Sequence, residues 1–199
     1  DPWFSNEGAF FGSWFQWPVN HQLLNTLVKE IEGKKVFLYI SHEHQDHFDI
    51  KTLKKIKPLI YKSIIPSYFD KYLKNQIEKI GYPVVELKDS EAHFFTSNDF
   101  IQVFTIDTGV NHDSMALVKI NNKTFLNQND CKIFDRLSYF SSKQINYYAV
   151  QFSGATWHPI CYEIDEKKKI QISKQKVNSK LIAIKNALKI LQPEFYFPS

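Results

Sequence analysis

Between positions 42 and 47 the chain places three histidines and an aspartate, in the stretch Ser41-His42-Glu43-His44-Gln45-Asp46-His47. Neutral imidazole and carboxylate together suit zinc, iron or manganese. A tight turn can converge such side chains on one ion, whereas a regular helix or strand splays them apart. The chemistry predicted is that of a transition-metal centre, in which the ion polarises a substrate and lowers the pKa of a bound water to about 7.

Two elements must position this stretch. The run Val36-Phe37-Leu38-Tyr39-Ile40, with Lys34 and Lys35 behind it, reads as a strand buried on both faces. His42 would leave that strand at its C-terminal end, where open α/β sheets place their ligands. Asp49 is a predicted N-cap for a helix over 50–56, whose Leu53 and Ile56 form a short apolar stripe. The histidines therefore sit on a strand-to-helix turn.

Further along, Phe100-Ile101-Gln102-Val103-Phe104-Thr105-Ile106 reads as a strand that ends in the turn-rich stretch Asp107-Thr108-Gly109-Val110-Asn111, and His112 follows. The segments 115–120 and 123–126, joined by Asn121-Asn122, predict a β-hairpin with a two-residue turn, closed by Asn127-Gln128-Asn129-Asp130.

The pattern His42-x-His44-x-Asp46-His47 after a buried strand resembles the signature of the metallo-β-lactamase-fold superfamily. The resemblance implies an α/β protein of the four-layer αββα sandwich type with one or two metals at one edge. It also implies a histidine before such a hairpin and a metal-bridging aspartate after it, the places held by His112 and Asp130. On this pattern His42, His44 and His112 hold the first metal, Asp46 and His47 the second, and Asp130 bridges them. Asp46 and Asp130 would also steady the reacting water. Zinc is the expected metal, with iron or manganese as alternatives. The superfamily usually adds a histidine shortly before the last long helix. That neighbourhood, read here as Gln175-Lys176-Val177-Asn178, contains none. One metal and an optional second are therefore expected, with His158 in Trp157-His158-Pro159 as a substitute ligand or a hydrogen-bonding residue.

Four segments narrow the resemblance: Asp1-Pro2-Trp3-Phe4, the aromatic stretch 8–17, Gln151-Phe152-Ser153-Gly154-Ala155-Thr156-Trp157, and Pro193-Glu194-Phe195-Tyr196-Phe197-Pro198. They are similar to the branch containing CMP-N-acetylneuraminate hydroxylase, near the N-acyl-phosphatidylethanolamine phospholipase D-like members. This implies a domain over 1–199 that belongs to a longer chain and is cut at both ends. The reaction expected is hydrolysis of an ester, lactone or phosphodiester, including sugar- or nucleotide-linked ones, by metal-bound hydroxide. The alternatives are a metal-dependent monooxygenase, with an iron-sulfur domain or electron donor outside this chain, and a non-catalytic metal-binding module.

Composition bounds these readings. The chain of 199 residues is 43% apolar, enough for one domain with a sizeable core. Lys+Arg of 25 against Asp+Glu of 21 leaves a charge of +4, a mild excess carried by lysines on predicted helix surfaces and by Lys167-Lys168-Lys169 in a predicted turn. A small-molecule substrate is expected, and no nucleic acid; a redox partner enters only with the monooxygenase. No run approaches the ~20 apolar residues of a membrane span, and a cytoplasmic location is expected. Cys131 and Cys161 read as unpaired thiols, with no Cys-x-His or cysteine pair for a Rieske cluster.

Further helices are predicted over 21–32 with Asn20 as cap, over 67–80, and from Ser179 onward with Leu181, Ile184, Leu188 and Leu191 inward. Strands are predicted over 59–61, 84–87, 147–151 and 161–164, and this order fits a two-sheet α/β sandwich. The stretch from Phe10 to Pro18 is a loop with too much apolar surface to stay exposed. It either packs onto the body or forms a substrate wall, with Trp14, Ser153, Trp157 and His158 as lining residues.

Overall fold

The run before the histidines does form a strand, β1 (Val36–Tyr39), in a computed structural model that describes residues 1–109, 111–152 and 157–198. The chain forms two compact units, residues 1–93 with 102–114, and residues 94–101 with 115–199. The described residues form a mixed α/β fold with four helices and two sheets, the class expected from the sequence.

In the first unit the order is helix α1 (Leu24–Ile31), β1, α2 (Ile50–Ile56), β2 (Ile60–Pro66), α3 (Tyr72–Ile80) and β3 (Val84–Leu87). The three strands are parallel in the order β1-β2-β3, as helical crossovers require. Their C-terminal ends therefore share one edge, and β1 delivers His42 there. Leu38 and Ile40 are buried, but Val36, Phe37 and Tyr39 are only partly so, because β1 is the outer strand of its sheet. Burial on both faces is thus not what the structure shows.

Leu24 of α1, Leu53 and Ile56 of α2, Leu73 and Ile77 of α3, and Leu38 and Ile40 beside them belong to one apolar cluster. Each such side chain contributes about 1.5–3 kcal/mol when fully buried. Helix α2 starts as predicted, with the Asp49 carboxylate accepting from Lys51 N at 3.2 Å. The same carboxylate accepts from the Thr52 hydroxyl at 2.6 Å and from Ser5 N at 2.9 Å, so it ties the first residues of the chain to the helix that follows the site.

Two predicted helix starts in this unit are corrected. Asn20 makes no cap bond: its amide donates to Trp3 O at 3.1 Å, residues 21–23 form a 3-10 turn, and Leu23 is exposed. Residues 67–71 are not helical, because Ser67 N is bonded to Leu87 O and Phe69 N to the Asp107 carboxylate, which leaves Phe69 in solvent.

Three strands run on from there: β4 (Ala92–Phe94), β5 (Phe100–Asp107) and β6 (His112–Ile120). The second unit continues with β7 (Lys123–Asn129), β8 (Tyr147–Val150), the 26-residue helix α4 (Glu166–Leu191) and β9 (Phe195–Pro198). The second sheet has the order β4-β5-β6-β7-β8-β9. Strands β6 and β7 are the predicted hairpin, and Asn121 and Asn122 take φ of 51° and 62°, as a mirror-image two-residue turn requires. Residues 161–164 are not a strand but successive turns, with Cys161 N bonded to Trp157 O and Tyr162 N to Pro159 O. Helix α4 starts far earlier than predicted. Asp165 caps it by accepting from Lys167 N and Lys168 N, and no glycine or proline interrupts residues 166–191. Lys167-Lys168-Lys169 are therefore helical, and Ser179, Leu181 and the segment 175–178 lie inside the helix. Ile184, Ala187 and Leu191 are its buried stripe, and Leu181 is exposed. No described helix is long and apolar enough to cross a membrane.

Asp49→Ala removes a cap and strands the donors at Ser5 and Thr52. It should lower the unfolding free energy by roughly 2–3 kcal/mol, seen as a lower urea midpoint at unchanged slope.

Candidate metal centre

The loop 41–47 is short because both of its ends are buried. Ile40 before it and Phe48 after it belong to the same apolar cluster, and Phe48 N and His47 N both bond to His44 O, which closes a turn. Ser41 is wholly buried at its start. Its carbonyl accepts from the Tyr68 hydroxyl at 2.6 Å and from the Ser114 hydroxyl at 2.9 Å. Its amide and hydroxyl donate to the two oxygens of Asp1, at 2.6 and 2.7 Å.

On this fixed backbone His42 is buried and His44 exposed, and His42 Nε2 faces His44 Nδ1 at 2.8 Å. The other nitrogen of His42, Nδ1, lies 3.0 Å from Ser41 Oγ and 3.4 Å from Asp113 Oδ1. Burial first, and then the neighbouring His47 and His44 rings, lower the His42 imidazole to about 2. It is therefore neutral at ordinary pH, the form in which imidazole binds metals.

The His47 ring stands 4.3 Å from that of His42, with Nδ1 at 3.2 Å from Asp1 Oδ2 and Nε2 at 3.7 Å from Asp46 Oδ2. Asp46 and His47 are thus neighbours, as the same half of a site would need. The second oxygen of Asp46 is buried and has no hydrogen-bond partner among the described residues.

His112 opens β6. Its Nδ1 lies 3.1 Å from Asp107 Oδ1, and its ring packs 5.0 Å from that of Tyr68, the residue that also grips Ser41. Backbone N–H groups of Phe69 and, less strongly, Gly109 hold the Asp107 carboxyl below its usual range against the opposing effect of burial, and His112 adds to this. Asp107 therefore stays ionised opposite the imidazole.

His42, His47 and His112 share one feature: a carboxylate of Asp113, Asp1 or Asp107 faces Nδ1 of each. Such partners fix a tautomer and leave Nε2 as the nitrogen open to a ligand. Sequence reasoning missed all three carboxylates as partners. Asp113 directly follows a candidate ligand, and Asp1 stands in the sequence only as part of the Asp1-Pro2-Trp3-Phe4 segment.

Asp130 belongs to the second unit, one residue beyond β7. Its turn is held by Asn129, at φ 44°, whose side chain accepts from Cys131 N at 2.9 Å, and by Gln128, whose amide donates to Cys131 O. Lys180 of α4, which sequence reasoning also missed, lies close enough to feel Asp130. Burial first and then Lys132 lower its pKa, and Asp130 raises it.

His158 lies in the same unit, its ring 4.9 Å from that of Tyr162 and its carbonyl accepting from Lys176 at 2.6 Å. Trp157 is exposed beside it, and Ser153 lies outside the described residues. Because α4 begins at Glu166, the segment before the last long helix contains His158 rather than residues 175–178.

Trp14 packs edge-on against Phe10 at 4.8 Å, and Phe10 in turn lies 6.0 Å from the His44 ring. The aromatic loop does stay exposed: Phe11, Phe15 and Trp17 face solvent, because its left-handed backbone at Phe10 and Phe11 carries them outward.

No protein-family model matches the chain. It is 29% identical over 184 residues to a protein of Mycolicibacterium smegmatis described as a Rieske 2Fe-2S iron-sulfur protein. It is 30% identical over 185 residues to one of Mycobacterium tuberculosis described in the same words. Each match takes in 88% of this chain but 34% of the relative, so the chain spans about a third of the relatives' length. Among solved structures, the metallo-beta-lactamase fold protein YhfI from Bacillus subtilis shares 13% identity, with a TM-score of 0.42 over 64% of this chain and 54% of that one.

Zinc titration against a chromophoric chelator checks the carboxylate partners. Asp1→Asn and Asp113→Asn should each weaken binding by about 10–100-fold. Far-UV circular dichroism should not change.

Proposed function

We propose that the chain carries the metal site of a metal-dependent enzyme of the metallo-β-lactamase superfamily, acting hydrolytically on a small ester, lactone or phosphodiester. The observation that carries this reading is the His42 Nε2 and His44 Nδ1 pair at 2.8 Å, with His42 neutral and its far nitrogen against Asp113. Two nitrogens sharing one tetrahedral ion at ~2.0–2.1 Å each lie roughly 3.4 Å apart, so the 2.8 Å hydrogen-bonded pair would open by about 0.6 Å to admit one, a movement the exposed His44 side chain allows. The buried Asp46 oxygen without a hydrogen-bond partner among the described residues supports the same fit, since a buried carboxylate oxygen calls for a donor or a cation.

His42, His44 and His112 would hold one ion, with Asp46 and His47 serving the second position. His158 has the place in chain order that the superfamily pattern gives to its last histidine. A bound divalent ion supplies Lewis acidity at such a site. The chain's own residues do the rest. Ser41 and Tyr68 hold the loop backbone, and Asp1, Asp107 and Asp113 keep a proton on Nδ1 of three histidines so that each Nε2 lone pair points outward.

The name of the relatives favours one second reading, a metal-dependent monooxygenase. Histidine and carboxylate ligands also suit iron. In this reading the iron-sulfur cluster would lie outside these residues, because Cys131 and Cys161 make no Cys-x-His pair.

Metal analysis of protein purified without chelators separates the two. Near-stoichiometric zinc, with reductant-independent turnover of bis-p-nitrophenyl phosphate or p-nitrophenyl esters, is the expected result. Iron with turnover that requires oxygen and a reductant would favour the second reading, and absence of any transition metal would sink both. His42→Ala should lower turnover by more than about 100-fold, beyond the effect of losing an outer partner.

A further inference from the structure

Ser114 of β6 is wholly buried and bonds to both sides of one histidine–carboxylate contact. Its hydroxyl donates to Ser41 O at 2.9 Å, the carbonyl immediately before His42. Its amide donates to Asp113 Oδ1 at 2.7 Å, the same oxygen that stands 3.4 Å from His42 Nδ1. One residue therefore grips the backbone that carries His42 and the carboxylate that faces it.

Chemistry fixes the direction of these bonds. A carbonyl oxygen can only accept, so the single proton of the Ser114 hydroxyl goes to Ser41. The Tyr39 hydroxyl, 2.6 Å from Ser114 Oγ, is then the donor of that pair. The result is a one-way chain, Tyr39 O–H to Ser114 O–H to Ser41 C=O, that joins the end of β1 to the start of β6.

The contact it controls has little slack. N–H···O bonds run to about 3.2 Å, whereas His42 Nδ1 stands 3.4 Å from Asp113 and 3.0 Å from Ser41 Oγ. A drift of a few tenths of an ångström leaves the imidazole to the hydroxyl, a weaker orienting partner than a carboxylate. The Tyr68 hydroxyl holds the same Ser41 carbonyl at 2.6 Å, so that carbonyl keeps a buried donor when Ser114 loses its own. What is lost is the tie between His42 and Asp113.

We propose that Ser114 is a positioning residue of the metal centre, setting the separation of His42 and Asp113, and that Tyr39 acts on the centre through Ser114. The proposal rests on the metal-site reading above, and the test keeps the two apart.

Zinc affinity is measured against a chromophoric chelator for the unaltered chain, Ser114→Ala, Tyr39→Phe and the double variant. Tyr82→Phe is the control, because it removes another buried hydroxyl bond of the same unit, to Leu53 O at 2.6 Å, away from the histidines. Ser114→Ala should weaken zinc binding by about 10-fold or more. Tyr39→Phe should weaken it roughly 3-fold alone and less than about 1.5-fold in the Ser114→Ala background, as residues acting in series do. Tyr82→Phe should lower the urea midpoint and leave zinc affinity unchanged. The d–d band of the cobalt-loaded chain, which reports ligand geometry, should shift in Ser114→Ala and not in Tyr82→Phe. Unchanged zinc affinity in Ser114→Ala, or an equal loss in Tyr82→Phe, overturns the proposal and leaves the metal site standing. A Tyr39→Phe loss that is the same in both backgrounds overturns the chain through Ser114. If Ser114→Ala does not fold, Tyr39→Phe decides, and zinc affinity equal to that of Tyr82→Phe overturns the proposal. Failure of the unaltered chain to bind zinc overturns both readings.

Discussion

Everything distinctive in the first unit depends on sealing both ends of a seven-residue loop in one apolar core. Ile40 and Phe48 flank residues 41–47, and both belong to the cluster built from α1, α2, α3 and the strand β1. A polar stretch with three histidines has no reason of its own to hold one conformation. Backbone ordering costs about 1–2 kcal/mol per residue, and the loop's few internal bonds do not offset that for seven residues. The two anchors shorten the span the loop can explore, and the bonds that Ser41 accepts from Tyr68 and Ser114 and donates to Asp1 restrict it further.

The electrostatics follow from that confinement. Three imidazoles lie close together, with ring centroids of His42 at 4.5 Å from His44 and 4.3 Å from His47. His42 is deprived of water by burial, and the neighbouring His47 and His44 rings further disfavour a charge on it, so its neutral form wins. The carboxylates are placed on the far side of the rings rather than between them. A carboxylate between two rings would compete for the nitrogens that face each other. One behind Nδ1 instead fixes the tautomer without occupying Nε2. The cost of keeping anions there is met by ordinary hydrogen bonds: Asp1 takes two from Ser41, and Asp107 takes backbone N–H groups of Phe69 and Gly109.

What was legible in the sequence was local. The strand before His42, the Asp49 cap with its helix over 50–56, and the hairpin around Asn121-Asn122 each depend on a few adjacent residues, and each is present. The failures came where a distant partner decides. Residues 67–71 carry helical periodicity, yet Leu87 and Asp107 take their amides. Residues 161–164 look apolar enough for a strand, yet turns consume their donors. The candidate ligands could be named from the spacing in 42–47, but their carboxylate partners could not. Asp1 lies 46 positions from His47 and Asp113 lies 71 from His42. Nothing in the spacing announces pairs that only the fold brings together.

Helix α4 shows how a boundary alters a functional argument. Lys167-Lys168-Lys169 reads as a turn, and the apolar residues over 167–176 are too sparse to make a strong stripe. Read that way, the last helix begins near Ser179 and the segment before it has no histidine. Helix propensity decides otherwise: Lys, Gln and Glu are good formers, Asp165 satisfies the first amides, and no residue from 166 to 191 breaks the ladder. A helix that can extend to its cap does so, because each added residue contributes a bond without a new nucleation cost. The segment before the helix then becomes 157–165, which contains His158. A misplaced helix start thus changes which residues stand before the helix.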